Sequence, residues 1–109
     1  MLVDFWQASR LDNPGHVERA LRAAALAAGA TVLRLELHRF GSGGGVTGVA
    51  ILAESHISIH TWPEHGYAAI DIFACGDTRP HDAIPVLVEA FRPGRHEIIE
   101  HRRGMPITG

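Results

Sequence analysis

The spacing of apolar positions divides this chain into short segments of changing period. Leu2 to Ala8 (LVDFWQA) is a short apolar stretch with β-type aromatics, and a strand is expected there. Asn13-Pro14 then signals a helix start, with Asn13 as N-cap and Pro14 at the first helical position, where its missing N–H costs nothing. Val17, Ala20, Leu21, Ala24 and Ala28 recur at helical spacing on one face, Glu18, Arg19 and Arg22 lie mostly off it, and Gly29 supplies the stop. From Ala30 to Phe40 the period falls to two: Leu33, Leu35 and Leu37 alternate with Arg34, Glu36 and His38, which predicts a strand with the leucines on its buried face. Gly41 to Gly45 reads as a flexible turn, and Val46 to Ala53 as a third strand.

The next stretch, Glu54 to Cys75, is the most concentrated in chemistry. His56 to Trp62 and Tyr67 to Cys75 read as two strands joined by Pro63-Glu64-His65-Gly66, a hairpin connection. Closing between Trp62 and Tyr67 pairs residues whose numbers sum to about 129 on antiparallel pairing. Ser55 then faces Ala74 and lies diagonal to Cys75, within roughly 7–8 Å. The serine and the lone thiol can therefore share one site. His60 is five residues further along the strand, roughly 16 Å from the Ser55 of its own chain, so a His60 that serves this serine is expected from a second protomer.

After Cys75 the GDTRPHD segment is a polar turn. Ile84, Leu87, Val88 and Phe91 mark the stripe of a second helix, with Asp82 as N-cap, Pro85 in the first turn and Pro93-Gly94 at its end. His96 to His101 alternates weakly, as a last strand would, and residues 102–109 form a tail. The order of elements predicts an α+β fold, a two-layer α/β sandwich with two helices on one face of a mainly antiparallel sheet.

Composition narrows the function. At 109 residues the chain, 1–109, is expected to be a single domain, small enough that an oligomer interface would add useful burial. Ten basic and twelve acidic side chains give a net charge of −2, without the basic face that nucleic acid or an anionic membrane requires. A small-molecule or protein partner is expected instead. No apolar run reaches the roughly 20 residues of a membrane span, and Asp4 stands where a signal peptide would carry basic residues. These features point to the cytoplasm. Cys75, as the only cysteine, is a small core residue or a reactive thiol, and its place at a strand end favours the thiol.

Eight histidines suggest zinc, yet His56 and His60, four apart on a strand, are separated by roughly 13 Å along its axis. No Cys pair or His-Glu-x-x-His spacing is present, so no metal is expected. The glycine run joins two strands and lacks the Lys-Ser/Thr of a phosphate loop, and the Gly-x-Ser-x-Gly elbow of a hydrolase is absent. His16, His38, His81, His96 and His101 read as solvated surface residues, and Trp62 as packing or interface.

The stretch LAESHISIHTWPEHGYAAIDIFACG resembles the central motif of the prokaryotic S-adenosylmethionine decarboxylase family, with the likeness strongest from Thr47 to Gly76. Members of that family are proenzymes that cut themselves at a Glu-Ser bond and decarboxylate their substrate through a pyruvoyl group. The resemblance implies cleavage between Glu54 and Ser55, into 1–54 and 55–109. The Ser55 hydroxyl would attack the preceding carbonyl in an N-to-O acyl shift, elimination would follow, and the new terminus would become pyruvoyl. That carbonyl can form a Schiff base with a substrate amine and act as electron sink, without pyridoxal phosphate or metal.

By motif position the resemblance makes Ser55 the pyruvoyl precursor, His60 the processing base and Cys75 the proton donor to the decarboxylated carbon. Thr47 stands where the family has a second processing serine, eight positions before the cleavage serine. Phe40 corresponds to an aromatic that stacks on adenine and Glu64 to the residue that binds the ribose hydroxyls; Leu52 and Glu54 complete the expected substrate contacts. The site is implied to lie between the protomers of a homodimer, with His60 and Thr47 supplied across the interface, in an enzyme of polyamine biosynthesis. The glycine loop after Phe40 is one residue longer than the family's, and its N-terminal extension has no counterpart before Met1. L-ornithine and L-arginine stay open as substrates. So does an uncleaved, non-catalytic paralogue acting as a binding or regulatory subunit.

Overall fold

A computed structural model describes residues 1–101 and 103. In chain order the elements are β1 (Leu2–Trp6), α1 (Pro14–Ala27), β2 (Val32–Arg39), β3 (Val46–Leu52), β4 (Ser55–Trp62), β5 (Tyr67–Ala74), α2 (Ala83–Phe91) and β6 (Arg95–Ile99), with single 3-10 turns at Pro63–His65 and Pro80–Asp82. The strands form one sheet in the order β2-β3-β4-β5-β1-β6, and every neighbouring pair is antiparallel. Both helices cover the same face, so the expected two-layer sandwich is the observed one. No helix among the described residues is long and apolar enough to cross a membrane.

Local chemistry accounts for most element ends. Asn13 caps α1, its Oδ1 accepting the His16 N–H at 3.1 Å, with Pro14 in the first turn. Gly29 follows the helix at φ 76°, a left-handed conformation glycine adopts without a Cβ penalty. Asp82 occupies the cap position of α2 without making a cap bond; its carboxylate turns to Arg79 Nε at 2.9 Å. Pro85 falls in the first turn of α2, as expected, whereas the left-handed end of that helix is taken by Arg92 (φ 45°) ahead of Pro93-Gly94. The last strand lies one residue earlier at its start and two at its end than its weak alternation suggested. Of the expected tail, all but Arg103 lies outside the described residues.

The two-residue period holds across the centre of the sheet. Ile57, Ile59 and Thr61 of β4 point into the core with Ala50 and Leu52 of β3 and Ala68, Ile70 and Ile72 of β5, against Val17, Leu21, Ala24, Leu87 and Phe91 of the helices. Thr61 is the single buried polar residue described: its Oγ1 donates to the Leu11 carbonyl at 2.8 Å and accepts the Val46 N–H at 2.8 Å. On β2 the period breaks. Val32 pairs with Leu52 and Arg34 with Ile51, so Leu33 is the extra residue of a bulge and is 65% exposed. Only Leu35 and Leu37 keep the buried side expected of all three leucines, because the inserted residue resets the alternation.

The opposite face of the sheet carries no helix among the described residues. By strand alternation it presents Thr47, Val49 and Ile51 from β3, His56, Ser58, His60 and Trp62 from β4, and Ala69, Asp71 and Phe73 from β5. The apolar side chains Leu2, Ile51, Trp62 and Ile99 are left exposed on it.

Candidate active site

Ser55 opens β4 directly after a two-residue turn, Ala53-Glu54, which pairs Leu52 with Ser55. Two-residue hairpins favour a positive φ at a central residue, because that backbone twist matches the strands. Ala53 and Glu54 both lack it, and the unusual angle falls one residue later, on Ser55 at φ 152°. A non-glycine residue in that region stores on the order of 1–3 kcal/mol and persists only where the surroundings hold it.

Four hydrogen bonds do so here, two to Thr31 and two to Cys75. The Glu54 carboxylate accepts the Thr31 N–H at 3.0 Å, and the Ala53 N–H donates to the Thr31 carbonyl at 2.9 Å, so the end of β2 clamps the turn. From the other side, the carbonyl oxygen of Glu54 accepts from both the N–H (3.3 Å) and the Sγ–H (3.0 Å) of Cys75. Cys75 follows β5, is exposed, and has its own carbonyl bonded by the Thr78 hydroxyl at 2.9 Å. Ser55 pairs with Ala74, as the sum of 129 predicted, which brings the thiol to the Glu54-Ser55 bond. Leu52 packs into the core, so only its backbone is available to a ligand at this end.

The remaining residues gather at the far end of β4. Thr47 pairs with His60, and its Oγ1 lies 3.1 Å from His60 Nδ1. Phe40, Thr47, His60, Trp62 and Glu64 line one pocket of about 440 Å³, floored by Gly44 and Gly45. Those glycines are required by close approach: a Cβ on Gly45 would collide with the Thr61 carbonyl and one on Gly44 with the Phe40 carbonyl. His38, opposite Thr47 on β2, is exposed as expected and meets the Phe40 ring edge-to-face with centroids 4.6 Å apart. Within one chain, then, the expected site residues form two groups. Leu52, Glu54, Ser55 and Cys75 stand at one end of β4, and Phe40, Thr47, His60 and Glu64 at the other.

Known proteins bear on what these groups are for. The family model described as S-adenosylmethionine decarboxylase matches residues 1–104. The chain belongs to the S-adenosylmethionine decarboxylase family. The resemblance carried by residues 47–76 thus extends over nearly the whole chain. Relatives called S-adenosylmethionine decarboxylase proenzyme include one from Thermomicrobium roseum, 49% identical over 106 residues (96% of this chain, 91% of the relative). Another, from Parasynechococcus marenigrum, is 52% identical over 99 residues (90% and 77%). The crystal structure of adenosylmethionine decarboxylase from Aquifex aeolicus superposes with a TM-score of 0.78 at 30% identity, covering 95% of this chain and 93% of that one. The family is one of carboxy-lyases, which places this chain among enzymes.

Sequence reasoning passed over His56, Asp71 and Thr31. His56 had been weighed only as a metal ligand, yet its Nδ1 lies 3.3 Å from Ser55 Oγ and its Nε2 3.6 Å from Asp71 Oδ2. The pairing sum of 129 contained the signal, since it sets Asp71 opposite Ser58 and therefore diagonal to His56. Nothing local could have located Thr31, whose reach to Glu54 depends on the packing of β2 beside β3. Among the described residues, no three His, Cys, Asp or Glu side chains are arranged to hold a metal ion.

Proposed function

We propose that this chain is the self-processing precursor of a pyruvoyl-dependent decarboxylase acting on S-adenosylmethionine in polyamine biosynthesis. The observation that carries the reading is the Glu54 carbonyl, gripped by the Cys75 N–H and thiol next to a serine in a strained conformation. In an acyl shift that oxygen becomes an oxyanion, and donors already aimed at it stabilise the charge without reorganising. Replacing the Glu54-Ser55 amide by an ester also frees the Ser55 backbone from the turn. Loss of the Ser55 α-proton would then expel the Glu54 carboxylate and leave dehydroalanine, whose imine tautomer takes up water and releases ammonia to give the ketone. The residues present fit such a group, since Ser55 carries the hydroxyl it would be made from and Cys75 stands beside it. Once formed, the pyruvoyl group would supply an electrophilic carbonyl for a substrate amine and a sink for the electron pair released with carbon dioxide. The Cys75 thiol is placed to protonate the carbon that loses it.

The two groups of site residues fit a homodimer in which each site takes Ser55 and Cys75 from one protomer and His60, Thr47, Phe40 and Glu64 from its partner. The exposed apolar residues of the helix-free face support sheet-to-sheet pairing. The pocket suits a nucleoside: Phe40 offers a ring to stack on adenine, and Glu64 a carboxylate for the ribose diol.

The test is the intact mass of purified protein under denaturing, reducing conditions. Fragments 1–54 and 55–109, the second bearing a pyruvoyl mass, are expected. A single full-length mass after long incubation overturns the reading in favour of a non-catalytic paralogue. Carbon dioxide release from S-adenosylmethionine rather than L-ornithine or L-arginine decides the substrate.

A further inference from the structure

The contact between Ser55 and His56 has no role in the scheme above. Successive side chains of a regular strand point to opposite faces, so neighbours do not ordinarily meet. Ser55 departs from regular strand geometry at φ 152°, and its Oγ lies 3.3 Å from His56 Nδ1. The imidazole is held on the helix-free face by two residues of β5. Asp71 Oδ2 lies 3.6 Å from Nε2, and the Phe73 ring packs against the imidazole at a centroid distance of 5.9 Å. The Arg103 guanidinium covers Phe73, its Cζ 4.4 Å from the ring centroid. The side chains of His56 and Asp71 are each about one-third exposed, so the pair is sheltered without being sealed from protons.

We infer that His56 is the base that accepts the Ser55 hydroxyl proton in the acyl shift, and that Asp71 is the residue that positions it. This rests on the self-processing reading and assigns its first proton transfer. The Asp71 carboxylate, 3.6 Å from Nε2, favours the tautomer with its proton there, which leaves the Nδ1 lone pair facing the hydroxyl. The Oγ–H proton passes to Nδ1 as Oγ bonds to the Glu54 carbonyl carbon, and the carbonyl oxygen takes the negative charge between the Cys75 donors. Collapse breaks the bond from the Glu54 carbonyl carbon to the Ser55 nitrogen, and the imidazolium gives its proton to that departing nitrogen. His56 ends as it began, and Ser55 carries a free amine and an ester. No further reactant is consumed. His60, roughly 16 Å along the same strand, is left for the second proton removal, from the Ser55 α-carbon, which His60 of the partner subunit performs. Ester formation is then completed within one protomer, and only elimination needs the dimer.

Hydroxylamine separates these steps, because it splits an ester far faster than an amide. Precursors carrying His56→Ala, His56→Gln, His60→Ala, Asp71→Asn or Asp71→Glu would be followed with the parent protein by intact mass, with and without hydroxylamine, after circular dichroism has established that each is folded. The His60→Ala chain is expected to stay full-length alone and to split between residues 54 and 55 on adding hydroxylamine. The two His56 variants are expected to resist hydroxylamine and to cleave about 100-fold more slowly than the parent, with His56→Ala partly rescued by free imidazole. Asp71→Asn is expected to slow ester formation about tenfold, and Asp71→Glu to restore part of the loss, which a merely structural role would not predict. A folded His56→Gln chain that cleaves at the parent rate, or forms hydroxylamine-sensitive ester at that rate, overturns the inference and leaves self-processing intact. A parent chain that never cleaves overturns self-processing itself.

Discussion

Removing the Cys75 side chain tests the grip on the Glu54 carbonyl in isolation. In the Cys75→Ala chain the N–H donor at 3.3 Å stays and the Sγ donor at 3.0 Å is lost. Deleting one well-placed oxyanion donor slows a reaction by about 100- to 1000-fold. A thiol is a weaker donor than the amide groups behind that figure, so the expectation is a loss of about 10- to 100-fold in the rate of cleavage. By rate theory this is about 1.4–2.7 kcal/mol of barrier. Cys75→Ser restores an O–H donor at nearly the same place and is expected to recover most of the cleavage rate. The assay is the appearance of fragments 1–54 and 55–109 by denaturing mass spectrometry from freshly purified precursor, each time course fitted to a first-order rate. Cleavage of Cys75→Ala at the parent rate would refute the oxyanion role and reduce the short Sγ distance to incidental packing. Fast cleavage of Cys75→Ser combined with poor decarboxylation would separate the two duties of this residue, since donating a hydrogen bond and surrendering a proton to carbon make different demands on it.

Three other perturbations have calculable outcomes. Thr61→Val keeps the shape of the side chain but strips the buried Val46 N–H and Leu11 carbonyl of their partner, so unfolding in urea should show a loss of about 2 kcal/mol; an unchanged midpoint would contradict this. The hydrogen bond from the Tyr67 hydroxyl to Asp4 Oδ1 at 2.7 Å, followed by burial and the Asp4 charge, raises the Tyr67 pKa above its usual value. Its stabilisation is therefore fully present below the unfolded pKa of about 10 and is lost as pH rises through the folded value. The stability gap between the parent and Tyr67→Phe, on the order of 1 kcal/mol at neutral pH, should shrink in alkali, and a gap constant across that range would disprove the coupling. Finally, mixing Ser55→Ala with His60→Ala at equal amounts during expression should rescue cleavage in about half of the His60→Ala chains, the share in mixed dimers. No rescue would mean that each site is built within one protomer.

How far the fold was legible depends on whether a feature is set by neighbours in sequence or by the finished sheet. The α1 cap, the position of Pro85 and the β4–β5 register follow from local turn and capping chemistry, and the register alone brought Cys75 to Ser55. The separation of His60 from Ser55 followed from strand rise. The bulge that turns Leu33 outward escaped because it exists only in the β2–β3 ladder, and the lost cap bond of Asp82 because a local turn brings Arg79, three residues back, to its carboxylate. The likeness of residues 47–76 to a known motif suggested which residues the family would use but was silent on His56 and Asp71. The His56–Asp71 pair follows from the β4–β5 register, whereas the meeting of His56 with Ser55 arises from a backbone distortion that no periodicity encodes.

The place of the Glu54-Ser55 bond in the sheet decides what the proposed cleavage would cost the fold. Residues 1–54 contain β1, α1, β2 and β3, and residues 55–109 contain β4, β5, α2 and β6. In the order β2-β3-β4-β5-β1-β6 the two fragments are interleaved: β4 and β5 of the second lie between β3 and β1 of the first, and β1 lies between β5 and β6. Three ladders, β3–β4, β1–β5 and β1–β6, cross the cut, as do the contacts of α1 with α2, where His16 Nε2 meets the Ala90 carbonyl at 2.6 Å and the His16 ring meets Phe91. Cutting the Glu54-Ser55 bond, as proposed, would break one covalent bond at the sheet's end and would leave every one of these ladders in place. Strain held at Ser55 would thus be released by the proposed cleavage without loosening the core, because Thr31 and Cys75, which hold the turn from its two sides, adjoin β2 and β5, strands that do not depend on that bond.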